Sequence, residues 1–456
     1  MSAGVPPAAA RLETVIGDRR VGRFHVLLLA LTGSVMFLDG LDTQAISFVA
    51  PVVAKEWHLP VAALGPLFSA SIVGLMVGYL LLAPLAARIE HRRLIALSVA
   101  LFGVFTLLCV FATNETQLIV FRFFTGVGLG GAIPSAVALA SEFAPARRRS
   151  TFVMFSYCWL ALGFVAASLL SGVLIPAWGW RSIFVLGGVL PLAVSVVLAV
   201  WLPRSPVHLL QRGEHAELHA TLRRLAPDLD PRATFVLDEP AAGKATRRDV
   251  LGRNRLAATL LLWLAFALNL GVFYAVLSWL PTVLLRLGHP TSTAVTATAL
   301  VTVGGIVAAL VIGPAMDKRG AFATLGTVYL IGSALIAVLG FALTGSSGLL
   351  LVAAFLAGTC VTGGQMSVIA LAAVLYPPRI RSTGVGWALG IGRAGGIVGP
   401  LLVGAALGAG AGARVVFLVM AAVFLLASGT VAVLSRVSRP AEVPVPQADP
   451  RPATAG

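Results

Sequence analysis

FHVLLLALTGSVMFLDGLDTQAISFVAP, residues 24–51, is an apolar run long enough to cross a bilayer, and its only formal charges are two acids, Asp39 and Asp42. A spanning helix needs roughly 20 mostly apolar residues. A carboxylate inside one is costly unless it pairs with a cation, faces a water-filled cavity or holds a proton. Asp39 and Asp42 are three apart, so on a helix they share a face. Arginines precede the run, as they would in a secretory signal. It continues through Asp42 to Pro51 without a small-residue cleavage site, so it reads as a retained span.

The rest of the chain agrees. Of 456 residues, 58% are hydrophobic and 11% charged, with a mean hydropathy of +0.95, too little polar surface for a soluble domain of this size. Apolar runs predict twelve spans, near 24–47, 62–84, 94–112, 117–142, 151–175, 182–202, 256–281, 291–315, 322–343, 347–375, 382–408 and 412–435. Cations cluster in alternate connections: Arg19, Arg20 and Arg23; Arg88, Arg92 and Arg93; Arg147, Arg148 and Arg149; Lys318 and Arg319; Arg379 and Arg381. The opposite connections hold little beyond Lys55, Arg181, Arg286 and Arg414. That bias predicts cytoplasmic termini. It also accounts for the net charge of +15 without nucleic acid, since the excess faces an anionic leaflet.

The longest polar stretch, 203–255, has six spans on each side. The expected division is a cytoplasmic N-terminal tail (1–23), a six-helix bundle (24–202), a cytoplasmic linker (203–255), a second bundle (256–435) and a C-terminal tail (436–456). The linker reads as one short amphipathic helix near 207–226 with a flexible remainder, and the Ala- and Pro-rich segments 1–18 and 438–456 as disordered. GYLLLAPLAARIEHRR (78–93) and GPAMDKRG (313–320) repeat one design about 230 residues apart, a glycine-led helix end turning into a basic loop. Repeated halves are a common build of secondary transporters.

Several chemistries are excluded. Cys109, Cys158 and Cys360 all fall in spans and read as small buried residues. The seven histidines show no metal-ligand spacing inside a span, no Walker sequence is present, and no hydrolytic constellation occurs. No cofactor, metal or enzymatic activity is expected. GVGLGG (126–131) and GIGRAG (390–395) satisfy a dinucleotide fingerprint, but neither follows a strand. Gly126 with Gly130, and Gly386 with Gly390, instead have the spacing that lets membrane helices approach closely.

The two repeated loops resemble signatures of the major facilitator superfamily, over roughly residues 20 to 435. Within it, LDGLDT (38–43), RFFTGVGLGGAIPSAVALASEFAPARRR (122–149), LLWLAFALNLGVFYAVLSWLPT (261–282) and YPPRIRSTGVGWALGIGRAGGIVGP (376–400) resemble the aromatic acid:proton symporters. The resemblance implies an all-α integral membrane protein of the major facilitator fold, with twelve transmembrane helices in two pseudo-symmetric six-helix bundles. Three positions depart from the family pattern. Ala87 replaces an aspartate that helps latch the cytoplasmic side, Glu90 replaces a glycine, and Arg204 stands where relatives often carry an acid. Asp317 and Gly320 keep the pattern in the second half. Arg204 reads as a loop variation of little functional meaning.

Charges inside spans supply the candidate site. Asp42 and Arg122 each lie roughly 7 Å below the outer ends of the first and fourth spans, which line the central cavity in the resembled fold. Arg122 paired with Asp42 or Asp39 would give a proton a place to bind; a static ion pair is the alternative. Arg393 lies roughly 15 Å into the eleventh span, near the middle of the hydrocarbon. Because it cannot shed its proton, it needs an anion, either another helix's acid or a substrate carboxylate gripped through two parallel hydrogen bonds. Asn269 and Tyr274, Gln365 and Ser367, and Trp387 are candidates to hold an aromatic ring and read its hydroxyls. Trp178, Trp180 and Trp279 read as anchors at the membrane interface. Glu142 is expected to pair with Arg147 or Arg381, forming a gate with Arg88 and Asp317.

The expectation is a monomeric transporter of the inner (plasma) membrane, importing a small aromatic carboxylate of the benzoate, hydroxybenzoate or protocatechuate type with a proton, by alternating access. An exporter of aromatic or hydrophobic compounds and a non-transporting sensor are the alternatives; a linker of roughly 50 residues is too small for a signalling domain.

Overall fold

In the computed structural model the described residues are 10–17, 21–82, 85, 89–145, 149–225, 229, 233–236, 251–252, 255–376 and 381–438. The apolar runs form helices because hydrocarbon offers the backbone no hydrogen-bond partner, so each span must satisfy its own amides and carbonyls. Among the described residues, twelve helices are long and apolar enough to cross a membrane. They are α1 (Arg23–Glu56), α2 (Leu64–Leu81), α3 (His91–Leu108), α4 (Glu115–Glu142), α5 (Arg149–Trp178), α6 (Arg181–Trp201), α7 (Leu256–Arg286), α8 (Thr291–Arg319), α9 (Ala321–Ala342), α10 (Ser347–Leu375), α11 (Arg381–Gly408) and α12 (Ala413–Val437). Side-chain caps mark two starts: Asn114 accepts from the Gln117 amide before α4, and Ser346 from the Leu349 amide before α10.

Packing repeats between the halves. In the first, α1 pairs with α5, α2 with α4 and α3 with α6; in the second, α7 pairs with α11, α8 with α10 and α9 with α12. The same scheme shifted by six helices is the pseudo-symmetry expected of repeated halves. Glycines bring the paired backbones together. A Cβ on Gly126 of α4 would lie 2.0 Å from the Ser71 carbonyl oxygen of α2, and one on Gly395 of α11 would lie 1.8 Å from the Ala267 carbonyl oxygen of α7. The expectation for Gly126 and Gly130 holds, but Gly386 and Gly390 face open space. The close approach of α11 runs instead through Gly395 and Gly399.

Between the halves, α2 packs on α11, α5 on α8 and α1 on α7. Helix direction puts the linker and the start of α1 on one face, here the linker face, and the contacts between halves lie toward the other. Gly65 and Gly404 meet where α2 crosses α11, Gly172 sits against Val295, and the Gln44 amide donates to the Leu277 carbonyl at 3.3 Å. Trp279 donates to the Pro400 carbonyl at 3.0 Å and packs edge-on against Phe68. Trp180 and Trp279 are therefore buried in helix contacts, correcting their reading as interface anchors; Trp178 is exposed.

Two boundaries differ from the sequence reading. α1 runs past 47 and through Pro51 to Glu56, whose carboxylate accepts from Trp180 at 2.7 Å and meets Arg181 at 3.2 Å. The linker holds two helices, Pro206–Gln211 and His215–Leu225, separated at Gly213 where φ is +70°. The N-terminal segment is not wholly a tail. Ala10–Arg11 pairs in parallel with Phe235–Val236, and Leu12 and Ile16 of the short helix Leu12–Gly17 pack with Leu209, Leu218 and Leu222. Alanine and proline content hid the apolar face formed by Leu12 and Ile16, which are four apart.

Candidate functional site

Close packing of α2 on α4 sets up the first polar group. With Gly126 lying against the Ser71 backbone, Arg122 of α4 reaches Ser71 Oγ at 3.1 Å and Asp42 Oδ1 of α1 at 2.5 Å. Both side chains of the ion pair are buried, at 0% and 3% exposure. Asp42 Oδ2 and Arg122 Nε find no partner, so the pair is incompletely satisfied. The pairing expected from matched depth is present, although α1 extends about 14 residues beyond Asp42, roughly 21 Å, so the depth assigned to Asp42 was too shallow.

The second group lies in a cavity between the halves. Asp39 of α1, Tyr79 of α2 and Arg393 of α11 line it, with Thr362 and Gln365 of α10 and Tyr274 of α7. Met36, Leu160, Phe164, Leu270 and Phe273 supply apolar walls. Arg393 donates to the Tyr79 hydroxyl at 2.8 Å, and its guanidinium carbon lies 4.8 Å from the Tyr79 ring centroid. Asp39 accepts from Thr43 at 3.3 Å, and the Arg393 charge acts on it. The two aspartates are therefore divided: Asp42 pairs with Arg122, while Asp39 shares the cavity with Arg393. Tyr79 was missed because it stands at the glycine-led end of its span and reads as part of the loop motif.

Of the remaining ring candidates, Tyr274 and Gln365 line the cavity, and Asn269 is wholly buried one helical turn from the lining residue Phe273. Two candidates lie outside the lining of this cavity. Ser367 turns away and donates to the Gly363 carbonyl at 2.8 Å, the back-bond that serine makes in a membrane helix. Trp387 stacks on Trp263 at 6.0 Å with 36% exposure, outside the cavity lining. Another hollow, between α7, α11 and α12, is lined almost wholly by apolar surface, with Val398, Leu402 and Val419 exposed at its rim. It offers nothing to orient a carboxylate.

On the linker face, Glu142 accepts from Ser205 at 2.6 Å, and Ser205 also caps the helix Pro206–Gln211. Ala87, Arg88 and Arg147 lie outside the described residues, as do the side chains of Asp317 and Arg381. Arg204 is no idle variation. It donates to the buried Glu90 at 2.8 Å and to Glu214 at 2.7 Å, and also meets Glu217. Glu90 has φ +83°, matching Gly320 at +86° in the second half, so its side chain is held where glycine is the comfortable residue. The two departures at Glu90 and Arg204 thus form one ion-paired clamp between the loop after α2 and the linker.

Arg204→Ala is expected to lower stability by about 1–3 kcal/mol by leaving the Glu90 carboxylate unpaired. Adding Glu90→Gly should recover about 1 kcal/mol, read by thermal unfolding in detergent. The Arg204 hydrogen bond holds the Glu214 carboxyl below its ordinary value. That tie is complete above the ordinary carboxylate range and is lost as pH falls through the lowered value.

The sequence pattern of the Major Facilitator Superfamily matches residues 32–336 and 297–455. A 4-hydroxybenzoate transporter of Pseudomonas putida is 37% identical over 85% of this chain and 87% of its own length. A gallate transporter of Pseudomonas putida is 36% identical over 93% of this chain and 96% of its own. A 3-(3-hydroxy-phenyl)propionate transporter of Escherichia coli is 36% identical over 91% and 95%. Among solved structures, a bacterial homologue of the human lysosomal transporter Spinster, inward-facing and occupied, superposes with a TM-score of 0.72. It covers 92% of this chain and 98% of its own at 17% identity, which speaks to the fold alone.

Proposed function

Because this chain belongs to the Major Facilitator Superfamily, and within it to the aromatic acid:proton symporters, we propose that it imports a small aromatic carboxylate together with a proton. The family is one of transporters, not enzymes, and the chain is a multi-pass membrane protein with twelve spans. The carboxylate reading comes from the relatives, whose substrates are aromatic acids, and from one geometric observation: Asp39 and Arg393 share a cavity.

Charge balance then supplies the coupling. Asp39 and Arg393 carry opposite charges in a site walled largely by apolar side chains. A substrate carboxylate engaging Arg393 beside an ionised Asp39 would leave a net negative charge in a low-dielectric cavity, at a cost of several kcal/mol. A proton on Asp39 removes that cost and frees the guanidinium for the substrate. One proton therefore accompanies one carboxylate. Tyr79 keeps the guanidinium plane in place while its anionic partner changes. The basic loops support a cytoplasmic linker face. Contacts between the halves toward the far face support the reading that alternating access operates by opening and closing the two faces in turn.

Asp39→Asn mimics the protonated acid. In proteoliposomes this variant should bind 4-hydroxybenzoate with little dependence on pH yet fail to concentrate it under an imposed pH gradient. Gradient-driven accumulation equal to the unmodified protein's would sink the coupling scheme. Right-side-out vesicles would settle direction, since an exporter would expel the acid.

A further inference from the structure

One stripe of α11 carries Gly386, Gly390, Arg393, Ile397, Leu401 and Gly404, whose successive members are three or four apart and so share a face. Its far-face end touches α2 directly. A Cβ on Gly404 would lie 3.3 Å from Gly65 Cα, one on Gly65 would lie 3.2 Å from Leu401 Cα, and Ser69 Oγ donates to the Ile397 carbonyl at 2.9 Å. Its linker-face end is open, because a Cβ on Gly386 or Gly390 would find nothing within 4 Å. Arg393 stands where contact gives way to open space.

Tyr79 meets it there from the first half. α2 runs toward the linker face and α11 away from it, so Tyr79 lies roughly 15 Å beyond Ser69 in that direction and Arg393 roughly 6 Å beyond Ile397. Past the Ser69 contact, two long side chains span the seam. Arg393 donates to the Tyr79 hydroxyl at 2.8 Å, and its guanidinium carbon lies 4.8 Å from the ring centroid.

This arrangement bears on affinity. A guanidinium carries five N–H groups, so a bond to Tyr79 can coexist with a two-point grip on a carboxylate. A long, mobile side chain loses rotamer freedom when it grips an anion, and a partner that already fixes it removes part of that cost. Here the fixing partner belongs to the other half. Affinity is then highest while the halves meet at Tyr79, and by reciprocity a bound carboxylate favours that meeting by the same factor.

We propose that Tyr79 is a positioning residue: the carboxylate site is complete only while the first half holds Arg393, so substrate binding is coupled to closure of the α2–α11 seam. This rests on the reading that an aromatic carboxylate engages Arg393.

Tyr79→Phe keeps the ring and removes the hydroxyl. In the purified full-length protein its Kd for 4-hydroxybenzoate, measured calorimetrically, should rise about three- to tenfold. In proteoliposomes KM should rise by a similar factor while the maximal rate stays within about twofold. A residue that only packs α2 would instead lower the unfolding midpoint or the maximal rate and leave Kd alone. Closure is read with spin labels at Arg93→Cys and Ala323→Cys, exposed positions on the linker face of the first and second halves, with the exposed native thiol removed by Cys158→Ser. Saturating 4-hydroxybenzoate should shift this pair to shorter distances, and by less when Tyr79→Phe is added. An unchanged Kd in folded Tyr79→Phe, or the same label shift with and without it, zero included, overturns the proposal. If the folded unmodified protein binds no 4-hydroxybenzoate, the carboxylate reading itself fails, a result distinct from an unchanged Kd.

Discussion

Uptake of 4-hydroxybenzoate should fall at least about 100-fold when Arg393 is replaced by alanine, because the site then has no fixed cation to replace the water that a carboxylate leaves behind. Arg393→Lys should recover little, with uptake still down about tenfold or more. Lysine keeps the charge but loses the planar fork that donates to two carboxylate oxygens and lies over the Tyr79 ring. Neither change should unfold the protein: Arg393→Lys keeps the charge, and in Arg393→Ala the Asp39 left behind can be neutralised by a proton. Gradient-driven uptake in proteoliposomes, read beside thermal unfolding, checks both statements. Retained uptake in Arg393→Ala would eliminate Arg393 as the carboxylate receptor.

The second large effect is expected at the Asp42–Arg122 pair. Asp42→Asn leaves the fully buried Arg122 guanidinium with the Ser71 hydroxyl and a neutral amide oxygen to donate to and no counter-charge. Breaking one side of a buried ion pair costs about 3–5 kcal/mol, so the thermal unfolding midpoint should drop sharply and uptake with it. The double replacement Asp42→Leu with Arg122→Met separates two roles. It should restore most of the stability, because a buried pair exchanged for packed apolar side chains is close to neutral. If the pair takes part in transport, uptake stays lost despite that recovery. If it only joins α1 to α4, uptake returns.

The contrast between these two sites marks how far sequence reasoning reached. Asp42, Arg122 and Arg393 were legible from cost: a charge in an apolar span has to meet a partner or a cavity. The division of labour between the two aspartates was not. Spacing of three puts Asp39 and Asp42 on one face, but which neighbour each meets depends on how α1 passes between α4 and the cavity. Tyr79 carried no signal either, since its contact with Arg393 joins helices of different halves. Trp387 and Ser367 lie outside the cavity's lining. Both are polar-bearing residues on helices that reach the cavity, but one stacks on Trp263 and the other bonds its own helix.

Glu90 and Arg204 make the same point from the loops. Each looked like an isolated departure from a family pattern, and Arg204 was discounted. They lie 114 residues apart in sequence yet are joined by a 2.8 Å bond that holds a glutamate at positive φ.

What the chain determines by itself is local and additive. Twelve spans, the repeat of the halves and the short list of expensive charges follow from hydropathy, length and the price of burying an ion. Tertiary structure decides what depends on rotation and crossing of helices. Glycines 126, 395 and 399 approach a neighbour while 386 and 390 do not, and Asp39 rather than Asp42 lines the cavity with Arg393. Periodicity specifies which residues share a face; only packing of one helix on another specifies what that face meets.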